Sequence, residues 1–453
     1  MRRVVKVSRI RIIITIIVVV LTTLLTGCTG KEPNEIAYVV ALGIDSTDDD
    51  NYKITIQYAN TTQISGGASE SGGKAGSEIV DNVTIEAPNI YAGVGLANNI
   101  VSKSFSMSHA KLIVFSKEIA EKGVKDMIET LVRSEEIRPD VFIAVANTTA
   151  NDYLTSVNPE MEVNPAQYYQ LIYQKNQLVG IPDGQLREFF TGLYTDNYDS
   201  ILPVAGVIEG AGGNSQNDDK GQSKDGQNEG SEGSSESLDS FESKNSDENE
   251  KEKDAEKNTS KYEYDIKNYV GGETAIEKKN KAEAIGAAVF EKDKMVGELG
   301  EVETEICKML KGDYTYSYLT YYNNDTPDIP ITVKTTQQKK PKYKIDTDKK
   351  TVDIELYIES DLYSLPADYN VENKIEDFER DVANYTSSAC TEFINNFTKK
   401  YNSDILKLNE KIKYKFLTNN QYNWFKKNVG WSEYKFSVCT NFKVRRTGLI
   451  VRE

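Results

Sequence analysis

The sequence predicts an α+β, or mixed α/β, chain of several domains, with mixed sheets and a long C-terminal helix packed on a sheet. Three observations predict it. Between Glu35 and Gln174, short apolar runs of strand character alternate with helix-period segments. After residue 284 the chain reads mainly as strands and then as one long helical stripe. A polar segment, 210–260, stands between these halves, so folded regions are expected over 28–209 and 261–453, behind a leader at 1–27.

The leader opens on a basic, acid-free head that carries Arg2, Arg3, Lys6, Arg9 and Arg11. The apolar run Ile12 to Leu25 follows, 14 residues long. A helix needs roughly 20 to cross a bilayer, so the run reads as a removable signal core. Leu25-Thr26-Gly27-Cys28 fits the box read by a lipoprotein signal peptidase, with cleavage between Gly27 and Cys28 and a diacylglycerol on the Cys28 thiol. An ordinary signal peptide that happens to contain a cysteine is the alternative. Two acyl chains anchor stably where one is marginal, which places the mature chain on the outer face of the cell membrane.

Beyond a tether from Thr29 to Asn34, Glu35 to Ile44 is an apolar strand. Lys53 to Tyr58 alternates Ile54, Ile56 and Tyr58 against Thr55 and Gln57, a second strand joined to the first through Asp45 to Asn51. Ser65 to Gly76 is a Gly/Ser loop. Asn89 to Ser102 has helical spacing, Lys111 to Phe115 is a strand, Lys117 to Arg133 a helix, Val141 to Ala146 a buried strand and Pro165 to Gln174 a helix.

Residues 210–260 hold 14 acids against 6 bases, with Leu238 and Phe241 as the large apolar side chains, and cannot bury enough surface to offset chain entropy. Disorder is expected there. Ala284 to Phe290 and Met295 to Leu299 form a hairpin, followed by a helix to about Leu310 and strands at Thr315–Tyr322, Ile331–Thr336, Tyr343–Ile345 and Val352–Glu359. Val371, Ile375, Phe378, Val382, Tyr385, Ala389, Phe393 and Phe397 recur three or four apart, one stripe of a helix over 371–400. Packing on the C-terminal sheet is the expected use of that stripe. Tyr434 to Val444 is the closing strand.

Charge and chemistry narrow the function. The net charge of −16, half of it in 210–260, argues against nucleic acid as a partner. Cys307, Cys390 and Cys439 are odd in number and far apart, which fits small core residues better than a disulfide framework or metal knuckle, although one bridging pair is left open. The single histidine, His109, has no nucleophile with a supporting third group, and no zinc pattern is present. Gly93-Val94-Gly95 begins a GxGxxG-like run, but position 98 is Asn98 and no strand leads into it, so it reads as a glycine-loosened helix. Asp45, Asp48, Asp49 and Asp50 lack the glycine and terminal glutamate of a calcium loop and read as a solvated turn. Tyr314, Tyr316, Tyr318, Tyr321 and Tyr322 crowd one strand, giving an aromatic surface for packing or for an interface. No catalytic residue, metal or cofactor is assigned.

Beside the lipobox, Glu35-Ile36-Ala37-Tyr38-Val39-Val40-Ala41-Leu42-Gly43-Ile44-Asp45 and Tyr52-Lys53-Ile54-Thr55-Ile56-Gln57 resemble the Ger(x)C family, the lipoprotein C subunits of spore germinant receptors. So do Ser108 to Ser116, Arg138-Pro139-Asp140, Ala287 to Gly297, Glu303-Thr304, Asp404-Ile405 and Arg446-Thr447-Gly448. The polar insert is long for the family, and Leu406-Lys407-Leu408-Asn409 replaces its usual glycine-containing turn. The resemblance implies a three-domain lipoprotein on the outer face of the spore inner membrane. It also implies A-type and B-type membrane subunits as partners in nutrient sensing, with no enzymatic role. Cys28 is the one site residue that it carries over. A solute-binding lipoprotein serving a transporter is the alternative, marked by an aromatic-lined cleft; a surface glycan hydrolase, marked by a carboxylate pair, is a third reading.

Overall fold

The computed structural model describes residues 13–17, 35–49, 51–59, 80–158, 162, 164–174, 180–195, 197–208, 268–274, 280–323, 326–364 and 374–447. Gly27, Cys28, the Ser65 to Gly76 loop, the 210–260 segment, Val371 and Gly448 lie outside them.

The first sheet is built on two long strands, β1 (Ile36–Ser46) and β2 (Tyr52–Ala59), paired antiparallel. Thr55 and Gln57, expected on a polar face, are both fully buried. Gln57 is satisfied there, donating to the Leu154 carbonyl at 2.9 Å and accepting from Tyr169 Oη at 2.5 Å. β3 (Val80–Ala87) pairs on the outer side of β2, and β4 (Ser104–Ser106) pairs parallel with the start of β1. β5 (Leu112–Ser116), β6 (Phe142–Ala146) and β7 (Ile201–Val207) continue from β1 as parallel neighbours. β5 and β6 are buried throughout, as strands covered on both faces must be.

Helices cover both faces. On one side stand α1 (Ile90–Ala97), α2 (Lys117–Lys122), α3 (Lys125–Val132) and α6 (Leu186–Thr195), packed over Leu42, Ile54, Ile113 and Ile143. On the other stand α4 (Ala150–Ser156) and α5 (Pro165–Gln174), over Val40, Leu112 and Phe142. The segment read as one helix over 117–133 is two, because Gly123 takes φ +125° and Val124 donates to the Asp293 carbonyl instead of continuing the spiral.

The hairpin β8 (Ala282–Glu291) and β9 (Lys294–Leu299) completes this same sheet, with β8 antiparallel to β7. The sheet boundary therefore falls after Leu299, and the first sheet takes strands from both sides of the polar segment. α7 (Glu301–Lys311) then leads to a second sheet of β10 (Tyr316–Asn323), β11 (Thr326–Gln337), β12 (Lys342–Asp346), β13 (Thr351–Ser364) and β14 (Lys435–Arg446). β13 is long enough to pair β12 and then β11 along one edge and β14, in parallel, along the other.

α8 (Ile375–Tyr401) packs on the second sheet. Its stripe keeps Phe378, Val382, Phe393 and Phe397 but shifts in the middle to Thr386 and Cys390, with Tyr385 and Ala389 only half-buried. Short helices α9 (Leu408–Ile412) and α10 (Asn419–Asn428) precede β14. One core joins the sheets: Ile201, Ala287, Val289 and Leu299 of the first pack with Leu310 of α7 and with Ile354 and Phe436 of the second. Cys307 and Cys390 are buried thiols, as expected, whereas Cys439 is exposed because strand alternation on β14 turns it outward; all three are free.

Candidate functional site

At the end of the first sheet where the parallel strands begin, a cleft of about 400 Å³ opens between the approach to β7 and the C-terminus of α7. That size suits a small molecule. Asp183, Glu188 and Tyr198 line one side, Lys308, Lys311 and Asp313 the other, and Lys407 reaches in from ahead of α9. α7 delivers its lysines because Glu303 closes its first turn, accepting from the Gly300 amide at 3.0 Å, while Gly312 ends it at φ +85°.

The charges are interlocked. Lys308 is buried and donates to the Ile181 carbonyl at 3.0 Å; burial pulls its amine below the usual range. Burial, aided by the Glu188 charge, pushes the Asp183 carboxyl up. Burial also opposes ionisation of Glu188, but the hydrogen bond and charge of Lys407, at 3.1 Å, outweigh it and hold that carboxyl below its ordinary value. Lys407 lies 4.2 Å from the Tyr198 ring centre, and Tyr198 Oη donates to the Glu188 carbonyl at 2.9 Å.

A second hollow of about 640 Å³ adjoins the cleft, sharing Tyr198 and Asp199 with it. At its base the buried Asp404 carboxylate accepts from the Leu408 and Asn409 amides at 2.7 and 2.8 Å, fixing the first turn of α9. Those bonds favour the ionised form, but burial is the larger effect and lifts Asp404 to about 7. The Asp404 amide in turn donates to Asp199 Oδ2. Tyr422 and Lys426 of α10 both donate to Asn197 Oδ1, at 3.1 and 3.0 Å. The residues ahead of β7 are thus clasped by those ahead of β14.

The residues singled out by sequence are scattered. Asp45 is structural: its carboxylate accepts from the Ala150 and Asn151 amides at 2.6 and 3.0 Å, holding α4 against β1 where Gly43 lets the helix come close. Asp48 and Asp49 lie in the turn that follows β1, and Asp50 is outside the described residues. His109 is exposed, edge-on to Tyr38 at 4.8 Å. Gly93 packs α1 onto β2, where an added Cβ would stand 2.6 Å from Ile54. Tyr314 is buried, while Tyr318 faces outward with Tyr363 at 5.5 Å. Among the described residues, no group of three or more His, Cys, Asp or Glu is placed to hold a metal, and no helix is long and apolar enough to cross a membrane.

Sequence reasoning missed Asp183, Glu188, Tyr198, Asp199, Lys308 and Lys407. They come from separate segments with no shared motif. Asp404 was visible through Asp404-Ile405, and Lys407 only as part of the Leu406-Lys407-Leu408-Asn409 departure from the family turn.

Comparisons with known proteins match both halves of the chain. Residues 30–207 match the spore germination protein N-terminal domain, and residues 285–448 match the C-terminal domain described as spore germination B3/GerAC like. Spore germination protein KC of Bacillus subtilis (strain 168) is 26% identical over 174 residues, 35% of this chain and 42% of the relative. The putative spore germination protein YfkR of that strain is 28% identical over 145 residues, 32% of this chain and 37% of the relative. Spore germination protein B3, also from that strain, is 26% identical over 148 residues, 30% and 36% of the two chains. The aligned stretches thus span about two fifths of these relatives' lengths. The crystal structure of the GerBC protein aligns with a TM-score of 0.48 at 15% identity, over 89% of this chain and 96% of that one.

Proposed function

We propose, from the premise that this chain belongs to the Ger(x)C family of spore germination proteins, that it is a lipid-anchored subunit of a spore germinant receptor. The observation that carries this reading is the pair of family matches, one in each half and in family order, at 30–207 and 285–448. The first match begins two residues after Cys28, where the leader ends in its lipidation box. The anchor holds the protein at the outer face of the spore inner membrane, and there it acts by contact with A-type and B-type membrane subunits, without turnover of its own. A tether of this kind raises the effective concentration of laterally placed partners.

Affinity capture of the lipidated protein from spore membranes, with identification of what co-purifies, tests the partnership. Recovery of both subunit types is expected, together with a delayed response of deletion-strain spores to at least one nutrient. Capture without either subunit, in spores that germinate normally across a broad nutrient panel, would refute it. The 400 Å³ cleft favours a second reading, delivery of a small polar solute to a transporter. Equilibrium dialysis against a solute panel separates the two.

A further inference from the structure

Residues 411–432 contain five lysines and no acid, in a chain whose net charge is −16. This basic stretch covers the end of α9, the turn Lys413–Lys415 and α10. Its inner side is tied down by aromatic packing. Phe416 stacks on Phe425 at 5.0 Å and on Tyr422 at 5.7 Å, and Phe425 meets Trp431, which is 2% exposed, at 6.3 Å. Its outer side carries three large apolar or aromatic residues among polar ones: Tyr414 is 81%, Leu417 94% and Trp424 69% exposed. Gln421 and Trp424 lie three apart on α10, and the Gln421 side chain accepts from the Leu417 amide just ahead of the Thr418 N-cap, which holds Leu417 beside the start of the helix. Single exposed apolar residues are ordinary on a protein surface. A Trp, a Leu and a Tyr exposed within eleven residues, interleaved with Lys413, Lys415 and Lys427, have the make-up of a segment that sits at a lipid headgroup layer.

The topology adds an independent observation. β1, β5, β6 and β7 are parallel neighbours, so all four begin at one end of the first sheet, with Ala41, Leu112 and Phe142 in one row across it. The chain arrives from position 28 at that end, entering β1 at Ile36. α10 is fastened at the same end, through Lys426 to the Thr195 carbonyl at 2.9 Å and through Tyr422 and Lys426 to Asn197, just ahead of β7. β7 is the third strand from β1, about 15 Å away at ordinary strand spacing. The basic aromatic face and the point where the anchored segment joins the fold thus share an end of the molecule.

We propose that residues 413–427 form a membrane-contact face that rests on an anionic lipid surface. Tyr414, Leu417 and Trp424 enter the interface, and Lys413, Lys415 and Lys427 meet lipid phosphates. Lys415 donates to the Ile345 carbonyl, but an ammonium has three N–H donors and keeps its charge, whereas the half-buried Lys426 is turned inward onto the Thr195 carbonyl, Asn197 and the Tyr422 ring. The inference builds on the membrane-anchored reading above and adds which side of the protein faces the bilayer.

The test uses the full chain reconstituted in vesicles of phosphatidylcholine alone or mixed with phosphatidylglycerol, each with or without bromine on the acyl chains. The two tryptophans of the protein are Trp424 and Trp431, so lipid bromine reads Trp424 against a buried internal reference. Brominated phosphatidylglycerol vesicles are expected to quench emission. Trp424→Phe should abolish the quenching, and joint Lys→Gln substitution at 413, 415 and 427 should remove its dependence on anionic lipid. Flotation of the vesicles scores anchoring separately. A protein that floats with equal emission in brominated and plain lipid retains its anchor and overturns the contact face; one that neither floats nor is quenched overturns both. A blue shift of Trp424 that needs added membrane subunits and is insensitive to lipid bromine assigns the face to a protein partner, which also overturns the proposal.

Discussion

The amide of Asp404 donates to Asp199 Oδ2 at 2.9 Å, while the amide of Asp199 donates to the Asp404 carbonyl at 3.2 Å, so two residues 205 positions apart hold each other in both directions. One lies just ahead of β7, the other just ahead of α9. The Asp404 side chain meanwhile satisfies two amides of α9, so this residue sets both the helix and its attachment to the first sheet.

Asp404→Ala is accordingly expected to destabilise the protein by about 2–4 kcal/mol, because it leaves buried amides without acceptors. Asp199→Ala, which removes the acceptor of the Asp404 amide and of a long, exposed bond from the Lys292 amide, should cost about 1 kcal/mol. Urea unfolding followed by circular dichroism measures both. Equal, negligible effects would contradict the clasp.

Stability should fall as pH rises from about 4 to about 7. Burial lifts the carboxyls of both Asp404 and Glu305 to about 7 in the folded protein, against ordinary values of 3.8 and 4.5. Within that window the folded state holds protons that the unfolded state has released, so raising the pH favours unfolding until the folded carboxyls also ionise. Glu305 accepts from the Ser317 and Tyr314 hydroxyls, yet its Oε1 is buried with no hydrogen-bond partner. Glu305→Gln removes that buried charge and should raise the melting temperature at pH 8 while leaving it little changed at pH 4. Thermal scans across pH check the slope; a melting temperature that rises steadily from pH 4 to 7 in the wild type would contradict it.

Deleting residues 210–260 should leave thermal unfolding within a few degrees of the parent. Ile208 donates to the Lys281 carbonyl at 2.9 Å, and Val207 is paired with Ala282, so the chain leaves β7 and returns to β8 at adjacent points. The closure cost of such a connection grows only as the logarithm of its length. A large loss of stability would show that the segment contributes packing of its own.

Cys28→Ala should abolish fatty-acid labelling and weaken membrane retention. The readout is fractionation after metabolic labelling. Unchanged labelling in the variant would refute the lipidation site.

What could be read from the sequence follows the range over which each signal acts. β1, β5, β6 and the β8–β9 hairpin announce themselves by local apolar runs, and α8 by its stripe. α10 buries only Tyr422, so it has no apolar period to read. β3 alternates half-buried and exposed residues between its buried ends, but Asp81 on the half-buried side masks the pattern. Gln57 looks like a solvent-facing residue on an alternating strand, and only the arrival of α4 and α5 buries it. The cleft is illegible for the same reason: Glu188 and Lys407 are 219 positions apart, and nothing local to either implies the other.

The β8–β9 hairpin also constrains the order in which the protein can be made. Synthesis from the N-terminus delivers β7 well before residues 282–299, the strands that cover its free edge. During that interval β7 presents unpaired backbone groups, the kind of edge that recruits foreign strands. The polar, acidic 210–260 segment is made next, so the uncovered edge is followed by a highly charged stretch that discourages association between neighbouring nascent chains. Completion of the first sheet is therefore a late event in biogenesis, and truncated products ending before Leu299 are the ones prone to aggregate.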